Sequence, residues 1–120
     1  MIRVTFFENE SGKLRGFQAK GHAGYALKGD DIVCAGVSTL IQAAAAGLEK
    51  FLSEQVHLTE RLADPQDVFV KLMLPEALSG EEEKAARVIL ETLELGMRGV
   101  AGSYGKYLEV RRCRDELKEV

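Results

Sequence analysis

The chain of 120 residues contains no tryptophan, two prolines, two histidines and two cysteines. Each scarcity excludes something. Cys34 and Cys113 are too few for a disulfide scaffold, and a chain of this length buries enough apolar surface to fold without one. Two thiols in an ordinary core-forming sequence point to a reducing compartment. The two histidines and two cysteines have no paired ligand spacing of the C-x-x-C kind, so neither a metal nor a cofactor is expected. His57 and Cys113 read as strand residues with structural roles. The few aromatics, 7% of the chain, are too scattered for a stacking platform. The opening MIRVTFFENE turns acidic quickly, unlike a secretory leader, and no apolar run approaches the roughly 18–20 residues of a membrane span. A cytoplasmic protein without a membrane partner is the expectation.

What is present describes an ordinary globule. Hydrophobic residues make up 46% and charged residues 29%, and the length fits one domain over residues 1–120. The net charge of −3 argues against a general nucleic-acid binder, which needs a concentrated positive face. Arg98, Lys106, Arg111, Arg112 and Arg114 gather late in the chain, but Asp115, Glu116 and Glu119 follow them. A solvated edge of mixed charge is the plainer reading, and direct nucleic-acid binding is not expected.

Hydrophobic periodicity divides the chain into seven elements. IRVTFFE (2–8) and KLRGFQAKG (13–21), joined by Asn-Glu-Ser-Gly, form a β-hairpin, with Gly16 marking a bulge. From Asp31 to about Ser53 the period becomes helical: Val37, Leu40, Ile41, Ala44, Leu48, Phe51 and Leu52 share one face, and Asp30 or Asp31 serves as N-cap. VHLTERL (56–62) and DVFVKLML (67–74) make a second antiparallel pair across Ala-Asp-Pro-Gln. Ser79 and Glu82 have capping-box spacing and open a helix whose apolar face is Ala86, Ile89, Leu90, Leu93, Met97 and Val100, with Gly102 as its stop. YLEVRRC (107–113) closes the chain as a strand. The order ββαββαβ implies an α+β two-layer sandwich, a five-stranded antiparallel or mixed sheet carrying two helices.

The segment GHAGYALKGDDIVCAGVS (21–38) holds the chemistry. With Asp31 as cap, Cys34 is the third helical residue, where unpaired amides and the helix dipole favour a thiolate. A thiol pKa of about 8.5 falls to roughly 3.5–7.5 in such a place or beside an imidazolium. His22 is the available imidazole, a base during attack and an acid toward the leaving amine. Gly21, Gly24 and Gly29 let the chain bend between the two and leave room for a substrate backbone, and Tyr25 and Leu27 are placed to clasp an extended peptide. The competing reading is packing. Cys34 lies within about 20° of Ile41 on the helical wheel, so it also fits a small core residue. On periodicity and composition alone, packing carries more weight.

GHA at a strand end, a glycine-containing loop, and DIVCAGVS opening a helix together resemble the signature of the bacterial ribosomal-processing cysteine proteases, the Prp or YsxB-like family, over essentially the whole chain. The resemblance implies a cytoplasmic endopeptidase with Cys34 as nucleophile and His22 as general base and acid. It implies as substrate the N-terminal extension of large-subunit ribosomal protein twenty-seven, and a homodimer. Asp31 and Ser38 are supporting candidates around the pair. Two other readings of the residues remain: a non-catalytic ribosome- or RNA-associated module using the Arg111–Arg112 edge, and a thiol redox sensor at Cys34 with Cys113 as a distant resolving thiol.

Overall fold

A computed structural model describes residues 1–22, 28–60 and 67–114, with the backbone alone at 22, 28–31, 67 and 68. The elements are β1 (Ile2–Glu8), β2 (Leu14–His22), α1 (Lys28–Phe51), β3 (His57–Glu60), β4 (Asp67–Met73), α2 (Gly80–Ser103) and β5 (Leu108–Cys113), the expected order. They form one five-stranded sheet in the spatial order β3-β4-β2-β1-β5. The sheet is mixed, because β5 returns beside β1 in parallel while every other pairing is antiparallel.

Strand alternation explains why both helices lie on one face. Ile2, Val4 and Phe6 of β1, Phe17 and Ala19 of β2, Val70 and Leu72 of β4 and Leu108 of β5 join a single core with both helices. From α1 come Val33, Val37, Ile41, Ala44 and Leu48, and from α2 Ala86, Leu90, Leu93 and Met97. In the β1–β2 hairpin the register passes from Phe7–Gly16 to Glu8–Leu14, so Arg15 is the extra residue of a bulge beside Gly16. The turn closes on Asn9, whose Oδ1 accepts from the Ser11 and Lys13 amides at 2.9 and 3.0 Å.

Ser79 caps α2 as its spacing requires: Oγ accepts the Glu82 amide at 3.2 Å. The Glu82 carboxylate also accepts the Ser53 amide at 2.5 Å, tying the end of α1 to the start of α2. These bonds hold the Glu82 carboxyl below the usual range, the Ser53 amide contributing most.

Four expectations need correction. α1 begins at Lys28, so Asp30 and Asp31 lie inside its first turn and neither is the N-cap. Phe51 is 58% exposed, standing beside Val88 and Ile89 on the outer rim between the helices instead of under the sheet. α2 runs through Gly102 to Ser103, and Tyr104 caps it by donating its backbone N–H to the Val100 carbonyl oxygen at 2.8 Å. Finally, Ile32–Phe51 is long and apolar enough, by length and composition, to cross a membrane, with a mean hydropathy of 1.5. Here one of its faces packs in the core.

Candidate active site

The end of β2 is fixed by its neighbours. β2 lies between β1 and β4, so its last residue, His22, is held at the sheet's end, opposite Asp67 of β4 in the strand register. Gly21 makes this close fit possible. Its φ of +154° is disfavoured for side-chain-bearing residues, and a Cβ there would collide with the Met1 carbonyl and come within 2.7 Å of Ile2 Cα. β1 and β2 therefore touch backbone to backbone one residue before the candidate base.

Gly24, Tyr25 and Leu27, expected to contact substrate, lie outside the described residues. Beyond them α1 carries Cys34. Because the helix starts at Lys28, Cys34 is its seventh residue, not its third. The unpaired amides of a helix belong to its first four residues, and the dipole's effect falls off within the first turn. At about 1.5 Å per residue, Cys34 is roughly 9 Å along the axis from the start. The helix end thus favours a thiolate at Cys34 less than the sequence suggested.

Cys34 is half-buried and packs against the core, between Val33 and Val37, which are both buried. Packing and access therefore coincide: one side of the residue meets the core and the rest remains exposed. Both cysteines are thiols, not halves of a disulfide. Ser38, one turn further on, is exposed. Cys113 is opposite Phe7, while His22 belongs to the sheet end where Gly21 is opposite Ile2. Five residues of strand, about 17 Å, separate those ends, so Cys113 and His22 do not share a site. His57 pairs with Met73 at that far end as well. A cavity of about 630 Å³ there, lined by Asn9, Arg15, His57 and Arg114 among others, lies away from His22.

A polar cluster that periodicity did not reveal ties α2 to the sheet edge. Glu94 is only 6% exposed and accepts from Arg112 Nη2 at 2.6 Å and Nε at 2.8 Å, and from Arg98 Nη2 at 3.1 Å. Arg112 Nη1 also donates to Glu8 at 3.1 Å. The Arg112 hydrogen bonds hold the Glu94 carboxyl below its ordinary range against the opposing effect of burial, and Arg112 is raised in return. The signal in sequence was a glutamate in an apolar stripe with an arginine four residues on. Arg112 is therefore a structural tie, and Arg111 projects to the other side of the sheet toward Thr5. The two do not form one basic edge.

Comparison with known proteins decides what scaffold this is. The family model described as "Cysteine protease Prp" matches residues 1–109. The chain belongs to the Prp cysteine protease family. It is 26% identical over 116 residues to the ribosomal processing cysteine protease Prp of Bacillus subtilis (strain 168), covering 92% of this chain and 96% of the relative. Among solved structures, SMU.848 from Streptococcus mutans superposes with a TM-score of 0.81 at 26% identity, over 96% of both chains. Prp from S. aureus, described as an essential ribosomal processing protease in complex with a substrate peptide, gives 0.79 at 22% identity, over 94% of this chain and all of that one. The same S. aureus protein with a covalently linked product peptide gives 0.78. The Prp fold is thus the α+β fold described above.

Proposed function

We propose that this chain is a cysteine endopeptidase in which Cys34 is the nucleophile and His22 the general base and acid. The substrate we propose is the N-terminal extension of large-subunit ribosomal protein twenty-seven, whose removal supports ribosome assembly in the cytoplasm. The observation that carries the reading is the family match over residues 1–109, which spans the GHA and DIVCAGVS motifs. The half-buried position of Cys34 supports it, since a nucleophile must be both held and reachable. With the helix start six residues away, a neighbouring imidazole is the stronger source of thiolate character.

The chemistry follows. His22 takes the Cys34 thiol proton, and the thiolate attacks the scissile carbonyl carbon, forming a C–S bond and an oxyanion. Backbone amides stabilise that oxyanion. His22 then donates its proton to the leaving amine as the C–N bond breaks. A water, deprotonated by His22, attacks the thioester, and the C–S bond breaks to return the thiol and release the carboxylate product. Asp31 and Ser38, three residues before and four after Cys34 on α1, are candidates for supporting the pair. Gly24, Tyr25 and Leu27 are candidates for holding the peptide. Two copies form a homodimer in this reading.

The test is mass spectrometry of the extended ribosomal protein after incubation with wild type, Cys34→Ala and His22→Ala. One N-terminal cut made by the wild type alone is the expected result. An intact substrate with the wild type removes the substrate assignment, and cleavage by Cys34→Ala at the wild-type rate removes the nucleophile.

A further inference from the structure

β3 is the outermost strand on one side of the sheet, and its other edge pairs with nothing among the described residues. In an antiparallel pair, alternate residues turn their N–H and C=O groups away from the partner, so this edge offers unsatisfied donors and acceptors. All four residues of β3 are exposed, whereas Val70 and Leu72 beside them on β4 are buried. Leu58 is opposite Leu72 and Glu60 opposite Val70, so both turn to the helix side of the sheet. Leu58 nevertheless stays 46% exposed.

Beside Leu58 a groove of about 340 Å³ runs between β3 and the end of α1. Ala45, Leu52, Val56 and Leu58 give it an apolar lining, and Glu49 and Glu54 supply carboxylates. Both glutamates are exposed, and neither forms an ion pair among the described residues. Lys50, next to Glu49, sits instead 5.7 Å from the Phe51 ring centroid. No lysine or arginine lines the groove or belongs to β3.

The groove leads toward the proposed active site. Leu58, Leu72 and Phe17 share a row across the sheet, and His22 is further along β2 by five residues. That is about 17 Å along the strands, and a strand added outside β3 lies about 14 Å to the side of β2. The direct path is roughly 22 Å, or about seven extended residues. α1 runs the same way, beginning at Lys28, soon after His22, and ending at the groove.

We propose that this edge and groove dock an extended basic peptide, which adds to β3 as a further strand. Its backbone pairs with the outward N–H and C=O groups of β3. An apolar side chain enters beside Leu52 and Leu58, and lysines or arginines on the same face meet Glu49 and Glu54. Charge complementarity selects the cationic chain. Resting on the endopeptidase reading above, the occupant is a stretch of the substrate about seven residues from the cut. A protein made to meet RNA phosphates carries the cations required.

The experiment is titration of the peptide Lys-Thr-Val-Thr-Lys into the full chain labelled with nitrogen-15, read by amide shifts. As a strand this probe puts valine and both lysines on one face. Saturable shifts at His57–Glu60 and along the groove, with a Kd of about 1 mM or tighter, are expected. Two N-methylated probes, one blocked at both threonine amides and one at the valine and final lysine amides, should differ, only one losing binding. Glu49→Gln combined with Glu54→Gln should weaken binding about fivefold and, in the cleavage assay, raise KM for the extended ribosomal protein by a similar factor at unchanged kcat. Glu10→Gln combined with Glu91→Gln should change neither, and thermal midpoints show that each variant is folded. No shifts at β3, equal binding by both methylated probes, equal loss in the control pair, or equal binding of Glu-Thr-Val-Thr-Glu overturns the proposal. Shifts at β3 that follow chain concentration instead of peptide assign the edge to a second copy and overturn it too. An unchanged KM overturns the substrate as occupant. Cleavage without peptide binding removes the groove alone, and binding without cleavage upholds the groove and removes the endopeptidase reading.

Discussion

Glu94 sits in the apolar stripe of α2, four residues after Leu90, and is buried only because Arg112 and Arg98 meet it there. Replacing it with glutamine removes the charge but keeps the shape. With the Arg112 side chain 36% exposed and so partly screened by solvent, the expected loss is about 1–2 kcal/mol near neutrality, read by urea unfolding. The sign with pH is fixed by direction. A carboxyl held low in the folded state contributes above its unfolded pKa of about 4.3, and that contribution is lost as pH falls through the lower folded value. The gap between wild type and Glu94→Gln should therefore close on acidification, and a gap that is constant down to about pH 3 contradicts the pairing. At Cys34, alanine should abolish peptide cleavage and serine leave little, since a hydroxyl does not ionise near neutrality; single-turnover assays check this. Neither Glu94 nor Thr5 was legible as buried, because periodicity marks where apolar residues go and says nothing of where ion pairs pull polar ones.

Strand and helix identities followed from alternation and 3.6-residue periodicity, and the Ser79–Glu82 cap from its spacing. The start of α1 did not, because Lys-Gly-Asp-Asp offers two acidic residues that suit a first turn as well as a cap. Two element-scale outcomes are expected. Ser79→Ala should cost about 1 kcal/mol by removing the bond to the Glu82 amide, seen as a lower midpoint in thermal unfolding. Gly21→Ala should cost about 1–3 kcal/mol, because its Cβ has nowhere to go beside the Met1 carbonyl and Ile2 Cα. A Gly21→Ala protein of wild-type stability would mean that β1 and β2 do not meet as closely as described.

The two-layer architecture was readable, but the sheet order was not. Parallel pairing of β1 with β5 joins segments with no local signal for one another, so sequence left antiparallel and mixed sheets equally open. The distance between Cys34 and His22 along the chain likewise gave no geometry, and their pairing rests on the resemblance of the motif and stays a proposal. For the assembled molecule, sedimentation velocity is expected to give twice the mass of the chain, and a single boundary at the monomer mass would exclude the homodimer. The β1–β5 contact also has a consequence in time. Ile2 donates to the Tyr107 carbonyl at 2.8 Å, and Arg3 bonds Glu109 across 106 positions. Neither bond can form until Tyr107 and Glu109 have been made. β1 therefore waits with an unpaired edge until β5 has been made, and contacts of such long range make folding slow. The last strand to be made is thus the one that closes the sheet beside the first, and until it arrives the edge of β1 is open to a wrong partner.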